Sequence, residues 1–399
     1  MTHPTTPESH LLGIYAQPDF VLARGEGCRV WDEEGRQYLD FTAGIAVNAL
    51  GHGSFVVRRA VEEALSTGLI HTSNLFRTRP SAELADRLVE LSFPGRVFLC
   101  NSGAEANEAA FKFARRWAGA THGADKHEIV AFRGAFHGRL FGTLAATDRE
   151  AYQAPFRPLM PGVRFAEVGD TARVEALLAT GRVAAVIVEA VQGEGGVRPT
   201  PLGFLADLRA LCDAHDTLLV FDEIQCGLGR TGALFAWQHG GVAPDMMTLA
   251  KPLAGGLPMG AVVLSDAVAD TLKPGDHGTT FGGGPLVSSV ALAVLRTVSG
   301  GEFLSRVRSA GEHLAAGLRS IVARHPVAAD VRGVGLMQGL VLHGPAAPVV
   351  ARARELGLLV VSAGPDVIRF VPPLVVTEEE VDEGLALLSE ALAGGEENS

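Results

Sequence analysis

The sequence predicts an α/β fold: a large domain with a mostly parallel sheet covered by helices, plus a smaller α+β domain from the N- and C-terminal segments. Two observations lead there. Short apolar runs alternate with amphipathic stretches through the middle of the chain, and such alternation makes neighbouring strands parallel through helical crossovers. Glycine turns and unusual polar residues follow those runs, at the carboxyl ends of strands where sites form in such sheets. A length of 399 residues also exceeds a typical single domain.

The elements follow in order. Val30-Trp31-Asp32 and Gln37-Tyr38-Leu39-Asp40 flank the turn Glu34-Gly35 and read as a small hairpin-like unit. Arg96–Asn101, Glu128–Phe132, Val183–Glu189 and Leu218–Glu223 read as short apolar strands. Ala104–Trp117 and Gly203–His215 carry apolar residues at helical spacing. After about residue 290 long helices alternate with short strands, ending in a charged helix from Thr377. The expected division is 1–55 joining the small domain, 56–287 forming the large domain, and 288–399 completing the small domain. No repeat or low-complexity linker interrupts this, and Gly394–Ser399 are expected to fray.

A net charge of −11 supplies no basic stripe, which argues against nucleic acid as a partner. Hydrophobic content of 47% provides for a large core, while the longest apolar runs, such as Ala184–Val188, are too short to span a bilayer. Met1–His10 is polar and lacks the apolar core of a secretion signal. Cys28, Cys100, Cys212 and Cys226 have no C-x-x-C spacing and read as reduced thiols, so a cytoplasmic location is expected. The thirteen histidines include no H-E-x-x-H pair, and no metal site is predicted.

Only four lysines occur, against thirty arginines. Lys251 lies in the apolar, glycine-rich stretch Thr248–Gly256, with no acid within five positions. Lys112 falls within a helix, Lys126 in a polar loop and Lys273 in a Pro-Gly turn, so Lys251 is the candidate desolvated amine. Asp222 closes the buried-strand pattern Leu218–Glu223. An imine-forming lysine and a buried acid to hold a pyridinium nitrogen are the pair that pyridoxal phosphate chemistry needs.

Other segments leave alternatives open. Asn101-Ser102-Gly103-Ala104-Glu105 is a strand end, a glycine turn and a helix start, suited to a phosphate but equally to an ordinary capping box. Leu218–Glu223 has the look of a Walker-B strand, yet the chain contains no Gly-Lys dipeptide for a P-loop. Gly227–Gly232 matches G-x-G-x-x-G, but Ile224-Gln225-Cys226 separate it from the strand and Leu234–Trp237 is a poor helix opening, so a loop is the better reading and a dinucleotide-binding dehydrogenase the weak alternative. Phe136-His137-Gly138-Arg139 offers an aromatic face and a bidentate cation, or merely a packed Phe and a solvated Arg. Gln192–Gly196 puts Glu194 in a flexible loop, and Thr279–Gly284 is either a phosphate loop or a plain turn.

Taken in order, these segments resemble the class III (subgroup II) aminotransferases of pyridoxal-phosphate fold type I, from about Tyr15 to Gly384. The resemblance implies that Lys251 forms the imine and moves the proton, while Asp222 pairs with the ring nitrogen. It implies Gln225 at the ring's 3-oxygen, Phe136 and Ile224 on the two ring faces, and Ser102, Gly103 and Ala104 around the phosphate. Thr280 is expected to complete the neighbouring site of a homodimer. Within the class, Ala43–His52, His71–Phe76 (with Asn74) and Ala363–Leu374 are most similar to the acetylornithine aminotransferases.

That likeness implies a ping-pong exchange of an amine between N2-acetylornithine and 2-oxoglutarate, as in arginine biosynthesis. Arg139 is expected to take a distal carboxylate, Arg369 glutamate's α-carboxylate, and Glu194 to pair with Arg369 otherwise. Ile45 stands where ornithine aminotransferases carry a tyrosine, which fits an acylated amine. Succinylornithine, ornithine, N-succinyl-diaminopimelate and carrier-protein-bound lysine are the alternative donors, with an aminomutase as the remote one. The chain departs from the family pattern at Ala104, Ala190, Gly284 and Ser54-Phe55, none of which is a member of the Lys251–Asp222 pair.

Overall fold

The computed structural model describes residues 10–394. Seven strands form the central sheet, in the order Gly95–Cys100, Gly260–Ser265, Met246–Leu249, Leu218–Asp222, Val183–Glu189, Glu128–Phe132 and Val163–Ala166. Gly260–Ser265 runs antiparallel to both neighbours, and the other recorded pairings are parallel. Val183–Glu189 and Leu218–Asp222 are buried along their whole length, as strands covered on both faces must be. The helices Gly103–Thr121 and Leu202–Ala214 lie one residue from their expected starts, and two of the expected strands end one residue early, at Cys100 and Asp222. After Cys100 the next residue, Asn101, already lines the site, whereas Glu223 after Asp222 turns its carboxylate to Ala236 N and Trp237 N.

Both ends of the chain build the remainder. Leu22–Glu26, Arg29–Asp32 and Gln37–Asp40 form an antiparallel meander, turned at Gly35 (φ 82°), to which Leu358–Leu359 adds a parallel strand. Ala328–Val334, Met337–Leu342, Val367–Phe370 and Val361–Ser362 form a second antiparallel sheet. The expected C-terminal helix runs Glu378–Ala393, with Thr377 and Glu380 capping each other. Of the expected frayed end, residues 395–399 lie outside the described residues.

The G-x-G-x-x-G segment is a loop, with Gly229 and Gly232 at φ 93° and 85°. Arg230, at its centre, is 1% exposed and joins the chain's middle to its C-terminal part. Its Nη1 donates to Leu336 O (3.0 Å) and Pro372 O (2.5 Å), and its own carbonyl accepts from Leu336 N (3.0 Å). Burial without a carboxylate partner pushes its pKa down to about 9. All four cysteines are free and buried. Lys126 is buried rather than solvated: its Nζ donates to His215 O at 2.9 Å, and desolvation lowers its pKa. Among the described residues no single helix is long and apolar enough to cross a membrane.

Candidate active site

The parallel strands end around one cavity of about 440 Å³. Ser102, Gly103, Ala104, Phe136, Arg139, Asp222, Ile224, Gln225 and Lys251 all line it, so residues spread over 150 positions of sequence meet at one sheet edge. Each sits just past a strand end because a parallel sheet aligns those ends on one side.

Asp222 forms the floor and is 4% exposed. Its Oδ2 accepts from Asn107 Nδ2 and meets His137 Nδ1, both at 2.8 Å, while its Oδ1 accepts from Ile224 N at 3.0 Å. Asn107 is fixed in turn by Thr248, whose Oγ1 donates to Asn107 Oδ1 at 2.8 Å. A carboxylate held this rigidly has its charge aimed at whatever cation lies above it.

Glu189 stands beside Asp222, as its register partner on the adjacent strand. It also lines the cavity and is 6% exposed. Burial first, and then the neighbouring Asp222 charge, raise its pKa well above the carboxylate range. Its carboxylate accepts a single long hydrogen bond, 3.3 Å from Phe136 N. Sequence reading passed over Glu189, since only strand pairing brings it to Asp222.

Lys251 opens a short 3-10 turn with φ 43°, an unusual conformation for a residue with a side chain. The residue is half-buried because the cavity flanks it, yet its amine lies deep, and desolvation lowers its pKa. Glu194 and Asp222 oppose that shift. An amine so placed is more readily neutral, the form that attacks a carbonyl.

Ser102 caps the helix Gly103–Thr121, accepting from Glu105 N at 3.2 Å. The Glu105 carboxylate turns away from the helix end and accepts from Asn101 N (2.8 Å) and Nδ2 (2.9 Å). Only half of the expected capping box forms, since the Glu105 carboxylate bonds to Asn101 and not back to Ser102 N, and the helix terminus that it leaves free faces the cavity. Closeness is enforced at Gly103, where a Cβ would come within 2.9 Å of Ile224.

Arg369 is 1% exposed and donates from Nη1 to Glu194 Oε1 at 2.5 Å and to Gln225 Oε1 at 3.0 Å. Burial alone would raise the Glu194 pKa, but the Arg369 charge outweighs it and holds the carboxylate below its usual range. Arg149 Nη2 donates to Glu194 O at 2.5 Å and ties the loop backbone. Arg139 stacks its guanidinium 3.4 Å over the Tyr152 ring at the cavity mouth.

Five expected residues are not among those lining this cavity: Glu194, which borders a neighbouring one with Arg149 and Tyr152, Arg369, which contacts the lining residue Gln225, and Thr280, Asn74 and Ile45. Thr280 and Asn74 line a separate surface cavity, where Asn74 Nδ2 donates to Thr279 O at 2.8 Å. Ile45 is 41% exposed on a turn whose Val47 lines the main cavity. Val47, Leu257 and Met259 are wall residues that no motif singled out.

The donor set fits pyridoxal phosphate. A deep amine, a fixed carboxylate, a helix N-terminus and two apolar side chains facing one slot match an imine-forming carbonyl, a ring cation, a phosphate and a flat ring. Among the described residues no cluster of His, Cys, Asp and Glu is set to hold a metal ion.

The comparisons with known proteins agree with this geometry. The family model described as Aminotransferase class-III matches residues 14–392. An acetylornithine aminotransferase of Xanthomonas campestris pv. campestris is 48% identical, with 98% of this chain and 97% of that protein covered. A succinylornithine transaminase of Yersinia pseudotuberculosis is 45% identical, covering 97% and 96%. The crystal structure of N-acetylornithine aminotransferase from Stenotrophomonas maltophilia superposes with a TM-score of 0.85 at 44% identity, covering 96% of this chain and 98% of that one. The chain belongs to the class III aminotransferases.

Proposed function

We propose that this enzyme is a pyridoxal-phosphate-dependent aminotransferase that exchanges the terminal amine of N2-acetylornithine with 2-oxoglutarate in a ping-pong cycle, as arginine biosynthesis requires. The observation that carries the reading is the 2.5 Å Arg369–Glu194 pair, whose charges both act on the Lys251 amine. Relatives named for acetylornithine at 48% identity support the donor, and the succinylornithine transaminase at 45% keeps a larger acyl group open.

When bound, pyridoxal phosphate supplies an electron sink for the carbon bearing the amine. Asp222, oriented by His137 and Asn107, holds the proton on the ring nitrogen. The backbone N–H groups of Ser102, Gly103 and Ala104 hold the phosphate, and Phe136 and Ile224 flank the ring. Gln225 meets the ring's 3-oxygen while keeping its bond to Arg369. Lys251 Nζ, whose deprotonation desolvation favours, would take up the proton from the substrate carbon. Arg139 leaves its stack on Tyr152 to grip the distal carboxylate.

The two substrates differ at Arg369. Glutamate brings a carboxylate to it and N2-acetylornithine brings none, so Glu194 supplies the missing charge in the second case. A buried arginine without any partner would cost several kcal/mol, about 3–5 for a severed buried pair. Ile45 borders the acylated amine, and the enzyme acts as a cytoplasmic homodimer in which Thr280 and Asn74 serve the neighbouring site. The division 1–55, 56–287 and 288–399 describes its domains.

The test is the visible absorbance of the cofactor-loaded protein before and after N2-acetylornithine is added without a keto acid. Loss of the visible band in favour of near-ultraviolet absorbance is expected. A band unmoved by N2-acetylornithine would overturn the donor, and no band at all would overturn the role of Lys251.

A further inference from the structure

Residues Ala43, Gly44, Ile45 and Ala46 have successive φ angles of 46°, 65°, 62° and 65°. Residues with side chains avoid that region singly, and a run of them persists only where its surroundings over-determine it. Bonds from Ala46 N to Thr42 O (2.9 Å), Val47 N to Ala43 O (2.8 Å) and Asn48 N to Ala43 O (2.9 Å) close the run into a left-handed turn.

One carboxylate fixes its start. Asp40 Oδ1 accepts from Thr42 N (2.8 Å), Thr42 Oγ1 (2.6 Å) and Ala43 N (3.0 Å), and its Oδ2 meets His52 Nε2 at 2.8 Å. His52 is itself seated by backbone. Its N and O pair with Gly27 O and N, both at 2.9 Å, and a Cβ on Gly25 would come within 2.6 Å of the His52 Cβ. Behind the turn, Phe41 O and Ala49 O accept from Val371 N (2.9 Å) and Leu374 N (2.8 Å), in the segment that follows Arg369.

We propose that Asp40 and His52 are positioning residues, a latch that holds this left-handed turn, Ile45 included, and thereby aims Val47 into the cavity wall, setting the choice of amine donor without touching it. The inference rests on the donor reading above. A switch of even one of these residues to the right-handed region would redirect every Cβ after it, so Val47 and Ile45 cannot keep their places once the latch is released.

The test uses cofactor-loaded His52→Ala and His52→Gln, the latter offering an amide nitrogen near the Nε2 position. Two quantities are read: the ratio of kcat/KM for N2-acetylornithine over ornithine, and hydrogen exchange at the amides of residues 46–48. His52→Ala is expected to lower the ratio by about tenfold, the scale of a displaced apolar wall contact. Exchange should quicken at 46–48 and stay unchanged in Leu218–Asp222, with His52→Gln restoring both. An unchanged ratio, or faster exchange throughout the molecule, overturns the latch. Asp40→Asn, which keeps the shape of the side chain, takes the place of His52→Ala if that variant does not fold. If the wild type ignores N2-acetylornithine, the donor reading fails separately. Exchange then decides alone, with local release upholding the latch and no change overturning it.

Discussion

Truncating Glu194 to alanine should separate the two halves of the reaction. Arg369 would keep Gln225 Oε1 at 3.0 Å but lose its carboxylate, and its Nε already has no hydrogen-bond partner. Severing a buried pair costs about 3–5 kcal/mol. The Glu194 side chain is 29% exposed, so water partly replaces it, and about 2–3 kcal/mol is the better figure. The loop should stay in place, because Arg149 holds it through the backbone carbonyl of Glu194. With N2-acetylornithine nothing replaces the carboxylate, and the single-turnover rate should fall by about 30- to 150-fold. Glutamate carries its own carboxylate to Arg369, so that half-reaction should change by less than about threefold. Stopped-flow absorbance on each half-reaction, with the other substrate absent, reads both numbers. Equal losses in the two would refute the exchange of partners at Arg369.

Three further outcomes follow from the same geometry. Glu189→Gln should retain kcat/KM within about threefold, because burial beside Asp222 disfavours the Glu189 charge and glutamine keeps its shape; a loss above about a hundredfold would show that its charge is used. Glu223 accepts from Ala236 N and Trp237 N, and burial lifts its pKa from 4.5 to about 7. The native state therefore binds more protons than the unfolded one between those values, so wild type should lose up to about 3 kcal/mol relative to Glu223→Gln as pH rises from 4.5 to about 7, read by denaturant melts. Gly138→Ala would put a Cβ within 2.7 Å of Thr143 Oγ1 and 2.9 Å of Ala104 at φ 134°, and should cost about 1–3 kcal/mol in thermal unfolding together with cofactor retention.

Much of the fold was legible because buried parallel strands write themselves as continuous apolar runs, as Val183–Glu189 does. Lys251 stood out by setting and scarcity, and Asp222 by closing such a run. The support around them was not legible. His137 and Asn107 reach Asp222 across 85 and 115 positions, and nothing local marks either as its partner. Glu189 needed the strand register, and the left-handed turn at 43–46 is filled mainly by residues with no preference for it. Lys126 lies in a polar run of sequence, yet the chain folds over it and its Nζ donates to His215 O.

The Arg230 stitch has a consequence for how such an enzyme can change. Its two carbonyl contacts lie on either side of Arg369 in the chain, at Leu336 and Pro372, and set the register between the C-terminal sheet and the loop after Asp222. The spacing from Arg369 to Lys251 is therefore fixed like a mark on a ruler. An inserted or deleted residue between 336 and 372 that is not absorbed in a surface loop would slide one mark past the other. New donors are then more readily reached by substitutions around the cavity, at positions such as Val47, Leu257 and Met259, than by changes in chain length. Lineages that differ in acyl group should accordingly be conservative in length here and variable in side chain there.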